Sequence, residues 1–140
     1  MRTYQEVVFT KDGQDIIALY RQVGWQAYLQ DDEKLARAFQ KSLYVLGAFD
    51  EGKLVGFVRC VGDGEHIVLV QDLLVAPDYQ GKGIGKALFS QVWNRYEDVR
   101  MFHVVTDGED VRDNAFYHSF GMKPLDQGGM ISYFRIKENA

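Results

Sequence analysis

The sequence Asp72-Leu-Leu-Val-Ala-Pro-Asp-Tyr-Gln-Gly-Lys-Gly-Ile-Gly-Lys-Ala-Leu88 guides the interpretation of the whole 140-residue chain. Branched apolar residues that end near Pro77 are typical of a β-strand, and an amphipathic segment begins directly after Gly85. The glycine-rich turn between them, Gln80–Gly85, can bring main-chain N–H groups close to a ligand because glycine has no Cβ. Together with the unsatisfied amides at the start of the next helix, these groups favour an anion, most often a phosphate.

Two common phosphate-binding motifs do not fit this turn. A Walker loop requires glycine where the chain has Gln80, and Ser or Thr where it has Ala87. The dinucleotide motif requires Gly-x-Gly-x-x-Gly, whereas the spacing here is Gly-x-Gly-x-Gly. The arrangement that does fit is Gln-x-x-Gly-x-Gly, formed by Gln80, Gly83 and Gly85.

This motif, placed between a strand and a helix, resembles the coenzyme A pyrophosphate loop of the GNAT superfamily of N-acetyltransferases. The resemblance implies acetyl-coenzyme A as cosubstrate, and it assigns cofactor binding to Gln80, Gly81, Lys82, Gly83, Ile84, Gly85 and Lys86. It further implies that the pantetheine arm pairs with the backbone of Leu73, Leu74 and Val75 as an added strand would. The N–H of Val75 or Leu74 would then stabilise the developing oxyanion.

A second segment, Asn114–Met122, resembles the GNAT pattern Asn-x-x-x-Phe-Tyr-x-x-x-Gly-Phe with a shortened spacer. At helical spacing, Asn114 and Tyr117 share one face. A phenol has a pKa of about 10 and is protonated at neutral pH. Tyr117 is therefore the expected general acid toward the thiolate, and Asn114 the expected hydrogen-bond partner of the pantetheine arm. The alternative is that Tyr117 only packs beside Phe116.

The general base is not assigned by the sequence. GNAT enzymes with a side-chain base often carry Glu or His four residues before the strand-ending Val, where this chain has Gln71, which cannot accept a proton. Asp72 should point to the opposite face of the strand unless a bulge rotates it. Candidates that would act through water are Glu65, His66, Glu109 and His118. A route without a base, in which the amine arrives neutral, is equally open.

The acceptor site is expected between the first two helices, where Trp25 and Tyr28 either line a pocket with Gln71 or form a buried aromatic cluster. The function implied is acetyl transfer from acetyl-coenzyme A to a primary amine, most simply a small molecule, by direct attack in a ternary complex. No cysteine lies in either motif, which disfavours an acetyl-enzyme. The alternatives are a non-catalytic acyl-coenzyme A sensor and a protein N-terminal or lysine acetyltransferase.

Periodicity predicts one α+β domain over residues 1–140. The expected elements are a strand at Tyr4–Thr10, helices at Gln14–Val23 and Asp31–Lys41, strands at Leu43–Phe49, Leu54–Val61 and His66–Val75, a helix from Ile84 to Tyr96, a strand at Met101–Thr106, a helix at Ala115–Phe120, and a hairpin of Gly121–Leu125 and Met130–Lys137. Residues 138–140 should fray. This order is similar to the GNAT fold: a mostly antiparallel seven-stranded sheet with a splayed parallel pair, strands 4 and 5, and four helices.

Composition narrows the classes of partner. The formal net charge of −4 argues against a nucleic-acid binder. No apolar run reaches membrane-spanning length and no signal peptide is evident, so we expect a cytoplasmic protein. The single cysteine, Cys60, and the spacing of the three histidines predict no metal site. The sequence leaves a homodimer open.

Overall fold

The computed structural model describes residues 1–137 of the chain, so the frayed end predicted at residues 138–140 lies outside the described residues. Contacts divide the chain into two compact units, Met1–Val104 and Val105–Ala140. A single domain over the whole chain stays a prediction.

The first unit contains a five-stranded mixed sheet. Its strands are β1 (Arg2–Glu6), β2 (Tyr44–Asp50), β3 (Lys53–Gly62), β4 (Ile67–Val75) and β5 (Met101–Val104), and they lie in the sheet in that order. The pairs β1–β2, β2–β3 and β3–β4 are antiparallel, whereas β4–β5 is parallel. The predicted α+β class, with its parallel pair at strands 4 and 5, is confirmed.

The described residues contain four α-helices, as predicted: α1 (Phe9–Val23), α2 (Asp32–Gln40) and α3 (Ile84–Arg95) in the first unit, and α4 (Val111–Ser119) in the second. Helices α1 and α3 both contact β3 and β4. All residues of β3 from position 54 to position 60 are buried, because the sheet is covered on both faces. The strand buried most continuously is therefore β3.

The predicted first strand is wrong in its second half. Strand β1 ends at Glu6 and α1 already begins at Phe9, five residues before the helix start expected at Gln14. Local hydrogen bonds explain the shift: the Asp12 carboxylate accepts the Val8 N–H at 2.9 Å, and the Asp12 N–H donates to the Val8 carbonyl. This reciprocal pair starts the helix in the middle of a stretch whose alternation looks strand-like.

The predicted count of seven strands is also wrong, because the described residues after β5 contain no strand. In place of the last hairpin the chain forms a 3-10 turn at Leu125–Gly128, where the Met130 N–H donates to the Leu125 carbonyl. The following side chains are open to solvent, with Tyr133 88% and Phe134 82% exposed. A strand requires a partner for its backbone groups, and alternation along one segment does not show whether that partner is present.

Candidate active site

One edge of strand β4 is paired with a neighbouring strand over only about half of its length. The strand pairs with β3 from Val68 to Val75, but with β5 only from Ile67 to Val70. Among the described strands, none pairs with the second edge of β4 over residues 71–75, and we call this stretch the free edge. Three residues expected to hold the pantetheine arm lie on it: Leu73, Leu74 and Val75.

Backbone orientation distinguishes Val75 from Leu74. The Ala76 N–H donates to the Val55 carbonyl of β3 at 2.8 Å. Because successive residues of a strand direct their amides to opposite edges, the Val75 N–H lies on the free edge and the Leu74 N–H faces β3. The Val75 carbonyl, on the same side as its N–H, accepts a hydrogen bond from Gln80 Nε2 at 3.0 Å. Gln80 thereby fixes the turn against the end of β4.

The glycine turn at Gln80–Gly85 contains two residues with left-handed backbone. Gly81 and Gly83 have φ angles of 77° and 83°, in the left-handed region that other residues rarely adopt. Helix α3 begins directly after Gly83, and no described side chain caps its first amides. The Lys82 ammonium lies 5.3 Å from the centre of the Tyr79 ring, which keeps a positive charge beside the turn.

A β-bulge on β4 brings the side chains of Gln71 and Asp72 to the same hydroxyl group, that of Tyr28. Val70 pairs with Cys60 and Asp72 pairs with Arg59, so Gln71 is the extra residue between them. Asp72 is buried, with 1% exposure, whereas Gln71 is exposed. The Tyr28 hydroxyl donates to Asp72 Oδ1 at 2.9 Å and accepts from Gln71 Nε2 at 3.2 Å.

The other carboxylate oxygen of Asp72 is held from two further elements. Oδ2 accepts the Tyr20 hydroxyl of α1 at 2.7 Å and Arg59 Nε of β3 at 2.6 Å. Arg59 also donates to Ser42 Oγ at 3.2 Å. We call the connected side chains the Asp72 network, which consists of Tyr20, Tyr28, Arg59, Gln71 and Asp72.

The electrostatics of the Asp72 network keep its phenols protonated. Burial, and then the Asp72 carboxylate, raise the pKa of both Tyr20 and Tyr28. Burial alone would lower the pKa of Arg59, but the adjacent carboxylate outweighs it and the Arg59 pKa is raised. At neutral pH the network therefore contains one ion pair and two neutral hydroxyl donors.

Trp25 lies beside this network and is 37% exposed. Its ring centre is 6.1 Å from that of Tyr20 and 6.4 Å from that of Tyr28. Tyr28 itself belongs to a 3-10 turn, Gln26–Leu29, and stacks on Tyr20 at 4.5 Å. The rings therefore form a cluster with Trp25 partly exposed, and the acceptor pocket stays a prediction.

In the second unit, α4 begins at Val111, four residues before the predicted start, because the Asp110 side chain caps it through the Asp113 N–H. Asn114 Nδ2 donates to the carbonyls of Asp107 and Asp110 at 2.9 and 2.6 Å. Burial, followed by the nearby Asp113 carboxylate, raises the pKa of Tyr117 to about 12. Tyr117 is consequently protonated throughout the neutral range.

The remaining candidates for a base have local backbone roles or lie at turns. The N–H groups of Glu65 and His66 donate to the Asp63 carboxylate in the β3–β4 turn. A His118 ring nitrogen lies 3.2 Å from the Met122 carbonyl oxygen. Within residues 1–137, no group of three or more His, Cys, Asp or Glu side chains is arranged to hold a metal ion.

Comparison with known proteins now identifies the class. The model of the acetyltransferase (GNAT) family matches residues 10–122. A GNAT-family acetyltransferase of known structure, SP0256 from Streptococcus pneumoniae TIGR4, is 32% identical, with 99% of this chain and 98% of that chain covered at a TM-score of 0.81. The chain belongs to the GNAT family of acetyltransferases.

Two further relatives are both named as acetyltransferases, but only one of the names gives a substrate. An uncharacterized N-acetyltransferase ycf52-like protein of Prochlorococcus marinus is 29% identical over 91% of this chain and 71% of its own length. The histone acetyltransferase TAP1 of Glycine max is 27% identical over 94% of this chain and 63% of its own length. This chain thus spans only part of these longer relatives.

None of the helices described in residues 1–137 is long and apolar enough to cross a membrane. The cytoplasmic location stays a prediction from the sequence.

Sequence reasoning missed two members of the Asp72 network, Tyr20 and Arg59. A signal was present, because Arg59 and Asp72 are opposite charges in the middle of two apolar strands. Buried charges require partners. Two such residues on neighbouring antiparallel strands predict an ion pair across the strands.

Proposed function

We propose that this chain transfers the acetyl group of acetyl-coenzyme A to a primary amine, by direct attack of the amine in a ternary complex. The observation that carries the proposal is the free edge of β4, which leads directly into the glycine turn and the uncapped start of α3. A free strand edge can pair with the two amides of a pantetheine arm. The turn and the helix start present N–H groups suited to a pyrophosphate.

Within the first unit, we assign oxyanion stabilisation to the Val75 N–H, because it lies on the free edge and the Leu74 N–H does not. Leu73 and Leu74 contribute backbone positions along the arm. The amides of Gln80–Gly85 hold the pyrophosphate, and Lys82 and Lys86 supply positive charge. Trp25, Tyr28 and Gln71 form the acceptor side.

In the second unit, we assign to Tyr117 the donation of a proton to the departing thiolate. Its raised pKa supports this role, because the hydroxyl stays protonated at neutral pH. Both N–H groups of the Asn114 side chain are already bonded to backbone carbonyls. Its Oδ1 is therefore the atom we expect to accept a hydrogen bond from the pantetheine arm.

A protein acceptor is the second candidate, and it is favoured by the relative named a histone acetyltransferase. A third, the acyl-coenzyme A sensor, is favoured only by Gln71 at the position of the usual base. Both alternatives keep the same cofactor site and differ in what reaches Tyr28 and Gln71.

The proposal is tested by measuring free thiol released from acetyl-coenzyme A with a panel of small amines, a lysine-containing peptide and a peptide with a free N-terminus. Calorimetry of acetyl-coenzyme A binding accompanies the assay. We expect binding together with amine-dependent thiol release. Binding without release by any acceptor would indicate a sensor, and absence of binding would contradict the proposal.

A further inference from the structure

Acetyl transfer requires an acceptor for the proton that the attacking amine loses. Gln71 cannot supply one, since a carboxamide does not accept a proton at neutral pH. The only carboxylate of the Asp72 network, Asp72 itself, is 1% exposed and cannot meet a substrate directly. The Tyr28 hydroxyl, in contrast, touches both the exposed Gln71 and the buried Asp72.

We propose that the Tyr28 hydroxyl receives the proton of the acceptor amine and passes its own proton to Asp72, so that a buried carboxylate serves the site through a tyrosine relay. This inference rests on the proposed function. It assigns to Tyr28 the contact with the amine, and to Asp72 the role of terminal proton acceptor.

The hydrogen-bond directions suit such a relay. The Tyr28 hydroxyl proton is already directed at Asp72 Oδ1, 2.9 Å from the phenol oxygen. A hydroxyl has two lone pairs, and one of them accepts Gln71 Nε2 at 3.2 Å. Among the described residues no donor is bonded to the second lone pair, which can accept an amine N–H.

The charged groups around Asp72 hold the carboxylate in place. From β3, Arg59 Nε bonds to Oδ2, and from α1 the Tyr20 hydroxyl bonds to the same atom. Oδ1 is bonded only by Tyr28 within the described chain. When Asp72 becomes protonated, Arg59 keeps its bond to Ser42 and its contact with the Phe39 ring, 5.2 Å from the guanidinium carbon.

The transfer balances without an added reagent. The amine nitrogen bonds to the thioester carbonyl carbon while one N–H bond breaks and its proton binds Tyr28 Oη. In the same step the original Tyr28 O–H bond breaks and its proton binds Asp72 Oδ1. The C–S bond then breaks, and the thiolate takes a proton from the general acid, the role proposed for Tyr117, which regains a proton from solvent. The proton on Asp72 returns through Tyr28 to solvent.

The test compares Tyr28→Phe with Tyr20→Phe. Each substitution removes one phenol hydrogen bond to Asp72, but Tyr28 is partly exposed whereas Tyr20 is fully buried. The ring stack between the two tyrosines and the Arg59–Asp72 pair remain in both variants, so both should fold, as thermal unfolding checks. Initial rates are measured over a range of pH with an amine that the wild type acetylates.

We expect Tyr28→Phe to lower kcat/KM for the amine by at least about 100-fold, the low end of general-base effects. Its pH profile should move to higher pH, because hydroxide must then take the proton that Tyr28 no longer receives. Affinity for acetyl-coenzyme A should not change. Tyr20→Phe should lower kcat/KM less than Tyr28→Phe does, because the Tyr20 hydroxyl bonds to Asp72 but meets no amine. In Tyr28→Phe, the added substitution Gln71→Glu should recover part of the rate, since glutamate can accept the proton.

An unchanged pH profile in Tyr28→Phe, equal losses in both variants, or no recovery with Gln71→Glu would overturn the relay while leaving the acetyltransferase proposal intact. A wild-type protein that binds acetyl-coenzyme A and acetylates no amine would instead contradict the proposed function, and the relay with it.

Discussion

The Asp72 network and the glycine turn lie on and just after the same strand, yet different kinds of atom act in each. In the network, the atoms are side-chain oxygens and nitrogens from α1, the Gln26–Leu29 turn, β3 and β4, and core packing sets their positions. In the turn, they are main-chain amides positioned by two left-handed glycines. Substitutions in the network should therefore affect the fold first, and substitutions in the turn should affect ligand binding first.

The largest effect is expected for Asp72→Ala, which leaves buried Arg59 and two phenols without their acceptor. Breaking a buried ion pair by removing one partner costs about 3–5 kcal/mol. Urea denaturation should show this loss in the free energy of unfolding. Asp50→Ala is the control, because Asp50 also accepts a tyrosine hydroxyl, that of Tyr79 at 2.9 Å, but is less buried. Equal losses in the two variants would contradict the special role of the network.

Gly83→Glu should, in contrast, affect ligand binding more than the stability of the fold. The left-handed φ of 83° makes glutamate strained there, at a cost of about 1–2 kcal/mol to stability. Its carboxylate would repel a pyrophosphate, so calorimetry should show the affinity for coenzyme A lowered by about 100-fold or more, or about 2.7 kcal/mol. Gly83→Asn is the control, since asparagine tolerates this conformation and carries no charge. Normal affinity in the glutamate variant would refute the pyrophosphate assignment.

Tyr117→Phe should lower kcat by about 100-fold, the low end for a lost general acid, and leave coenzyme A affinity unchanged. With a pKa of about 12, Tyr117 is protonated below that value, so the ratio of wild-type to variant rates should be constant from neutral pH to about pH 10. Tyr133→Phe, at an exposed tyrosine of the same unit, is the control. Equal turnover of Tyr117→Phe and wild type at every pH would remove Tyr117 from the mechanism.

The smallest effect concerns Asp63, whose pKa is lowered to about 2 by the backbone N–H groups of Ile67, His66 and Glu65. In an unfolded chain an aspartate has a pKa of about 3.9. The stabilisation of the folded state by the ionised Asp63 side chain is therefore complete above about pH 4 and is lost as the pH falls through about 2. The difference in unfolding free energy between wild type and Asp63→Ala should shrink over that range.

Asp63→Asn provides the control for this pH effect, because its side-chain oxygen accepts the same backbone bonds without titrating. A difference between wild type and Asp63→Ala that does not vary between pH 6 and pH 2 would show that the lowered pKa does not contribute to stability.

The difference between the glycine turn and the Asp72 network also explains which features could be predicted from the sequence. The glycine turn is local, so Gln80, Gly83 and Gly85 carry its pattern within six residues. The β2–β3 hairpin and the crossover through α3 are local for the same reason. The Asp72–Tyr20 contact joins residues 52 apart, and the bulge at Gln71 depends on register with β3. Neither has a pattern within a short window, although the buried opposite charges of Arg59 and Asp72 were a usable sign.

The two errors in the predicted secondary structure, one near each end of the chain, have related causes. Strand-like alternation continued to Thr10, but the Val8–Asp12 hydrogen bonds begin a helix there. Alternation at Met130–Lys137 predicted a strand that lacks a partner in the described structure. Pattern shows which conformation a segment can adopt, whereas hydrogen-bond partners decide which one it does adopt.

The central claim, that the free edge of β4 holds the coenzyme A arm, is tested most directly by hydrogen exchange of single amides, measured by NMR with and without coenzyme A. The Leu74 N–H faces β3 and should be protected in both states, whereas the Val75 N–H on the free edge should become protected only when coenzyme A is bound. Exchange at Val75 that does not change at saturating coenzyme A would contradict the claim.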